Sequence, residues 1–251
     1  MLGRADTPAG EIVLRRRGEA VELIVNGVFA MDSVEVASEL ALADAAGQPP
    51  GRVLVGGLGL GYTVARLLDA GATEVLVAEL AAPLVEWAER CLTGQLGRVA
   101  ADPRVRLVTG DVFDAVETAG PGWDAILLDV DNGPSFLIHD HNQRVYTEQF
   151  LRRCVQRLTP SGRLVVWCET ESPDLEITLR RVAGGVELIT VPVTRQGRTF
   201  DYALYRARQP RSAPAGAAPG RATRPEARQP QALPTATGVR KAQAKGSAMP
   251  T

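Results

Sequence analysis

The chain predicts an α/β fold: a Rossmann-like, mostly parallel sheet behind a small N-terminal β-hairpin subdomain. Three observations carry that expectation. Gly51-Arg-Val-Leu-Val-Gly-Gly-Leu-Gly-Leu-Gly-Tyr-Thr-Val-Ala-Arg-Leu-Leu68 runs a β-branched strand into glycines and on into an apolar-periodic helix. Beyond it, short apolar runs alternate with helical segments, the pattern of crossover-connected parallel strands. Four successive strands deliver glycines or carboxylates at their C-terminal ends, where open α/β sheets bind ligands.

Taken in order, Glu11–Arg15 and Val21–Phe29 read as strands joined by turns at Arg17-Gly18 and Asn26-Gly27, a hairpin or three-strand meander. Asp32 or Ser33 then caps a helix, with Glu35 completing a capping box and Val36, Leu40, Ala41 and Ala45 as its core-facing stripe. Gln48-Pro-Pro-Gly51 ends that helix. The glycine-bearing strand follows, then a second strand from Thr73 to Glu79, a helix from Ala82 to Leu92 and a shorter helical piece before Asp102-Pro103. A third strand, Val105 to Val108, ends in Thr109-Gly-Asp111, and Asp111 caps a helix to Thr118. Gly120-Pro-Gly122 turns into the fourth strand, Asp124 to Asp129. After Pro134 an irregular stretch reaches Arg144, and a helix runs from Tyr146 to Leu158. A strand from Arg163 to Cys168, a helix from Pro173 to Val182 and strands Val186–Val191 and Thr199–Arg206 close the domain, the last antiparallel. The expected division is 1–48 for hairpin and linking helix, 49–208 for the nucleoside-binding domain and 209–251 for a tail.

Composition sets the bounds. A length of 251 residues suits one sizeable α/β domain plus extras. No run of 18 apolar residues exists and Met1 to Gly10 lacks a signal pattern, so a cytoplasmic protein without a membrane span is expected. Cys91, Cys154 and Cys168 lie far apart without metal-ligand spacing and read as reduced, mostly buried thiols. The near-zero net charge hides a split. Residues 209–251 carry seven Lys/Arg and one Asp/Glu, which leaves the body acidic and suited to a cationic substrate. The Pro/Ala/Arg-rich tail has no hydrophobic periodicity, so disorder is expected; a solvated tail without function is the plainer reading, and contact with nucleic acid or acidic lipid the sharper one.

The spacing of Gly57, Gly59 and Gly61 lets backbone turn with φ > 0 and lie against a ligand, with a helix N-terminus behind it. A structural αβ turn uses the same residues. Glu79, about 20 residues on, stands where a carboxylate can accept from both hydroxyls of a ribose; a strand-end cap is the plainer alternative. His139-Asp140-His141 reads as exposed loop, with a metal pair, a proton relay or a lid as the sharper readings; no metal is expected. Trp87, Trp123 and Trp167 read as core, and Trp167, at a strand end, has the best reach to a pocket.

In that order, the glycines, the ribose carboxylate, Gly-Asp and a strand-end Asp resemble the class I S-adenosylmethionine-dependent methyltransferase fold. More narrowly, the chain resembles the spermidine synthase (polyamine aminopropyltransferase) family over about residues 10–206. The hairpin ahead of the glycine strand, Gly110-Asp-Val-Phe-Asp114 and Trp123-Asp-Ala-Ile-Leu-Leu-Asp-Val-Asp-Asn-Gly-Pro134 carry the likeness. Val145-Tyr-Thr-Glu-Gln-Phe150 and Leu158-Thr-Pro-Ser-Gly-Arg-Leu-Val-Val166 are similar as well. The resemblance implies that Glu79 holds the ribose, Asp111 the adenine amino group, and the loop Gly57, Leu58, Gly59 and Gly61 the amino-acid or aminopropyl end. Leu80 and Val112, which follow the two carboxylates, belong to the same implied nucleoside site. Asp129 is the implied base and Asp131 an implied substrate-orienting group. The chemistry agrees independently, because an amine attacks carbon beside a sulfonium only with its lone pair free.

The chain departs from that family at identifiable positions. Leu60 stands where the family carries an Asp that grips the aminopropyl ammonium. Ser38 and Glu39 stand on the helix that usually carries Tyr-Gln and His. Three functions follow. The first is aminopropyl transfer from decarboxylated S-adenosylmethionine, or a related nucleoside, to a small-molecule amine or other nucleophile. The second is methyl transfer from S-adenosylmethionine, since Leu60 removes a barrier to its carboxylate. The third is nucleoside binding without catalysis. A homodimer is compatible with this reading, and the sequence does not fix the oligomeric state.

Overall fold

A computed structural model describes residues 1–134, 137, 140–195 and 197–209, all within one compact unit. His139 and nearly all of the expected tail lie outside the described residues.

Four strands, β1 (Gly3–Thr7), β2 (Gly10–Arg17), β3 (Ala20–Val25) and β4 (Val28–Asp32), form an antiparallel sheet in sequence order. Val25 pairs Val28 across the two-residue turn Asn26-Gly27, both at positive φ, the primed geometry that matches strand twist. The sequence reading stops at three strands; β1 adds a fourth. Its residues are mostly polar and half-buried in alternation, so only its ladder with β2 and the packing of Trp87 over Gly3 mark it as a strand.

Helix α1 (Ala37–Ala45) begins later than Asp32 or Ser33 would start it. Asp32 Oδ1 instead accepts the amides of Val34 at 2.8 Å and Glu35 at 2.9 Å, closing a turn, and Val36 at φ −123° breaks the run before the helix. The buried face is consequently Ser38, Leu42 and Ala45, and Leu40 faces solvent.

The main sheet holds β5 (Arg52–Gly56), β6 (Glu74–Glu79), β7 (Val105–Thr109), β8 (Trp123–Leu128), β9 (Leu158–Cys168), β10 (Gly185–Arg195) and β11 (Arg198–Arg208). Their order is β10-β11-β9-β8-β5-β6-β7; β5 to β9 pair in parallel, and β11 runs antiparallel to both its neighbours. Val53, Leu54 and Val55 of β5 are fully buried, as expected of a strand covered on both faces. Helix α2 (Tyr62–Asp69), α3 (Ala82–Glu89) and α4 (Gly94–Ala101) share one core with α1 and the antiparallel sheet. Helix α5 (Val112–Thr118), α6 (Glu148–Arg157) and α7 (Pro173–Val182) build the second core on the other face. A seven-residue 3₁₀ segment, Asp140–Tyr146, precedes α6, so that helix starts at Glu148 rather than Tyr146.

The chain leaves β5 toward β6 and β7 on one side, then returns to lay β8 on the other. The strand order reverses between β5 and β8, and the crevice at such a point is where open α/β sheets take their ligands.

Candidate active site

The ends of β5 and β8 are locked side by side. Asp129 N donates to Gly56 O and Gly57 N to Ala78 O, each at 2.9 Å, so the ladder continues past the strands. Gly57 has φ +94°, and a Cβ there would lie 2.1 Å from the Asp129 carbonyl oxygen. Only glycine lets the two backbones approach this closely. The Leu58 and Leu60 side chains turn into the core, at 4% and 2% exposure, and leave Gly57 and Gly59 to line the cavity. Leu60 therefore occupies no ligand-facing position. Gly61, in left-handed conformation, starts α2 from behind the loop. Met31, which no sequence signal marked, reaches over from β4; its sulfur accepts the Leu60 amide at 3.2 Å.

Glu79 ends β6, buried at the cavity wall. Its Oε2 accepts the Leu58 amide and its Oε1 the Ala81 amide, both at 2.8 Å. Burial raises its pKa while the Ala81, Leu58 and Leu80 amides pull the other way. The carboxylate pins the glycine loop from the cavity wall, and its two oxygens have accepting capacity beyond these amides. Leu80, Asp111 and Val112 line the same cavity. Asp111 caps α5: its Oδ1 accepts the Phe113 amide at 2.8 Å, and its Oδ2 pairs with the Arg144 guanidinium. Arg144 comes from the stretch read as irregular and lies 4.7 Å over the Phe113 ring.

Two further carboxylates face the cavity from the turn after β8. Asp131 is buried, with Oδ1 accepting the Asn132 amide at 2.9 Å and Oδ2 accepting Asn142 Nδ2 at 3.0 Å. Asp129 differs from it, since its carboxylate accepts no hydrogen bond among the described residues. Burial, then the like charges of Glu39 and Glu79, push its pKa up to about 7. Strand ends thus bring Gly57, Gly59, Glu79, Leu80, Asp111, Val112, Asp129 and Asp131 to one cavity, while Leu58 and Gly61 shape the loop behind it. Trp167, from β9, and Glu39, from α1, join them. Among the described residues no group of three His, Cys, Asp or Glu side chains is placed to hold a metal ion. His141 is exposed.

No family model matches the chain. Two polyamine aminopropyltransferases are similar in sequence. That of Synechococcus sp. (strain JA-2-3B'a(2-13)) is 27% identical over 172 residues, 63% of this chain and 53% of the relative. Polyamine aminopropyltransferase 2 of Hyperthermus butylicus is 30% identical over 161 residues, 61% of this chain and 50% of the relative. The chain thus spans about half the length of these relatives. Among solved structures, spermidine synthase from Thermotoga maritima has a TM-score of 0.67 at 18% identity, covering 84% of this chain and 73% of that one. A spermidine synthase in complex with the transition state analogue AdoDATO has the same score and identity, over 84% and 74%. The solved structures carry the likeness in fold and the curated relatives carry it in sequence; in both respects the chain is spermidine synthase-like.

Proposed function

We propose that the chain is a transferase that binds decarboxylated S-adenosylmethionine in this crevice and passes its aminopropyl group to a small-molecule amine. One observation carries the reading: a half-buried carboxylate, Asp129, without a hydrogen-bond partner among the described residues, at the switch point of the sheet. The neighbouring carboxylates Glu79, Asp111 and Asp131 each accept hydrogen bonds from the chain, whereas Asp129 is available to take a proton. The names of the relatives support the same donor and acceptor class. In this reading Glu79 takes the ribose hydroxyls and Asp111 the adenine amino group. Leu80 and Val112 flank the base, Gly57 and Gly59 admit the sulfonium end, and Asp131 shapes the acceptor side.

The test is product analysis with both sulfonium donors and a panel of amines. Methylthioadenosine released from the decarboxylated donor is the expected product. S-adenosylhomocysteine from intact S-adenosylmethionine would instead mark methyl transfer, and neither product with any nucleophile would leave a binding protein. The rate should climb as pH rises through about 7, because Asp129 must give up its proton before it can accept another.

A second expectation concerns Glu79. Ala at this position would strip the loop of two amide partners and confound binding with folding. Glu79→Gln keeps the shape but can accept only one of those amides, and it loses the charge facing the ribose. Methylthioadenosine affinity should fall about tenfold, the loss of one charge-assisted hydrogen bond. Calorimetry reads this directly, and an unchanged Kd in a folded variant would remove the ribose assignment.

A further inference from the structure

Asp131, held by the Asn132 amide and the Asn142 side chain, shapes one side of the acceptor, and the side facing it from α1 is still to be assigned. Glu39 is placed for it. It stands in the first turn of α1, half-buried, and lines the same cavity as Asp129. The Ser38 hydroxyl donates to its Oε2 at 2.7 Å, fixing the head while Oε1 has no side-chain donor among the described residues. Trp167 lines that cavity too and packs 4.9 Å from Tyr202, giving it an aromatic wall.

We propose that Glu39 is the acceptor-positioning residue: from α1, with Asp129 at the end of β8, it brackets the reacting nitrogen of an alkyl amine that enters as an ammonium ion. This rests on the transfer reading above and assigns its acceptor subsite. A primary ammonium has three N–H bonds, enough for one to each carboxylate. Asp129 takes one proton. The freed lone pair attacks the carbon beside the sulfonium, the C–S bond pair moves onto sulfur, and the thioether leaves neutral. Nitrogen carries the positive charge as a secondary ammonium, and the proton on Asp129 passes to solvent. Glu39 keeps its hydrogen bond as the new cation forms.

The groups around the pair fit those roles. Burial raises the Glu39 pKa; the Ser38 hydroxyl and the charge of Arg195 pull it down, Glu35 adds to the rise, and the Tyr202 phenol lies nearby. Facing Asp129 are Glu39, Glu79 and the Tyr146 phenol. Each carboxylate thus raises the need for a cation between them.

Glu39→Gln removes the charge and keeps an acceptor for Ser38. With decarboxylated S-adenosylmethionine and a panel of alkyl mono- and diamines, the amine KM should rise about tenfold, the worth of a charge-assisted hydrogen bond. Methylthioadenosine Kd should stay within about twofold. The acidic limb of kcat/KM should move down by about half a pH unit or more, because Asp129 loses a like-charged neighbour. Glu39→Asp should recover part of the KM. An unchanged KM and limb in Glu39→Gln overturns the inference, as does a parallel loss of methylthioadenosine affinity, which marks a structural role. If the wild type makes no methylthioadenosine with any amine, the transfer reading falls on its own. Calorimetric titration of the same amines into the methylthioadenosine-saturated chain then decides Glu39: binding weakened in Glu39→Gln upholds it, and equal or absent wild-type binding overturns it.

Discussion

Asp129→Asn should lower turnover by about 10²–10⁴ while methylthioadenosine affinity stays within a few-fold, the loss usual for a general base. Asn keeps the shape and an acceptor oxygen but takes no proton. Raising the pH should partly rescue the variant, because more of the amine is then deprotonated in solution. The same substitution should stabilise the fold. The carboxyl has an ordinary value of 3.8 and is pushed up to about 7 in the folded chain, so folding takes up a proton between those values. Stability contributed by the protonated form is present at acid pH and lost as pH rises through that window. The variant lacks this loss. Its melting temperature should therefore exceed the wild type's by several degrees above pH 7 and converge with it near pH 4. Equal turnover with a verified acceptor would reduce Asp129 to a strand-end group.

Gly57→Ala should unfold the crevice rather than tune it. A methyl there would sit 2.1 Å from the Asp129 carbonyl oxygen, which belongs to backbone hydrogen-bonded to β5 and cannot swing away. The left-handed φ of +94° adds strain for any side chain. Together these cost about 2–5 kcal/mol. For a domain of this size that corresponds to a fall in melting temperature of about 5–15 °C. Nucleoside binding should be lost with it, since the displaced segment carries both the glycine loop and Asp129. A variant with unchanged melting and binding would mean that the two strand ends are looser than their ladder implies.

Much of this was legible in the sequence, and for identifiable reasons. Strand ends are local: Gly57, Glu79, Asp111 and Asp129 each terminate an apolar run, so the parallel-sheet reading alone collects them at one edge. The exceptions arise where tertiary placement decides. Leu60 aligns with a ligand-gripping position, yet an apolar side chain beside a core turns inward, and only coordinates reveal that. Met31 reaches the crevice from β4 with no motif to mark it, and Glu39 is marked only as a departure from the family's helix, so its place in the cavity emerges from the fold. Arg144 sits in a segment without periodicity and is defined by its partner, Asp111. The start of α1 was misread because Asp32 can cap a helix or close a turn with the same side-chain bonds.

The position of β11 has a consequence for how the chain acquires its structure. Among the described residues it is the last strand in sequence, yet it lies inside the sheet, with β9 on one side and β10 on the other. Until residues 198–208 are available, β9 has an open edge and β10 has nothing to join. Folding that proceeds from the N-terminus can assemble β5 to β9, but the sheet completes only by inserting its final strand. Such insertion closes a loop of some thirty residues between β9 and β11, the kind of non-local pairing that slows folding. Truncation or destabilisation of that strand would then leave the unpaired edge of β9 exposed, and aggregation rather than simple loss of stability should be the first symptom.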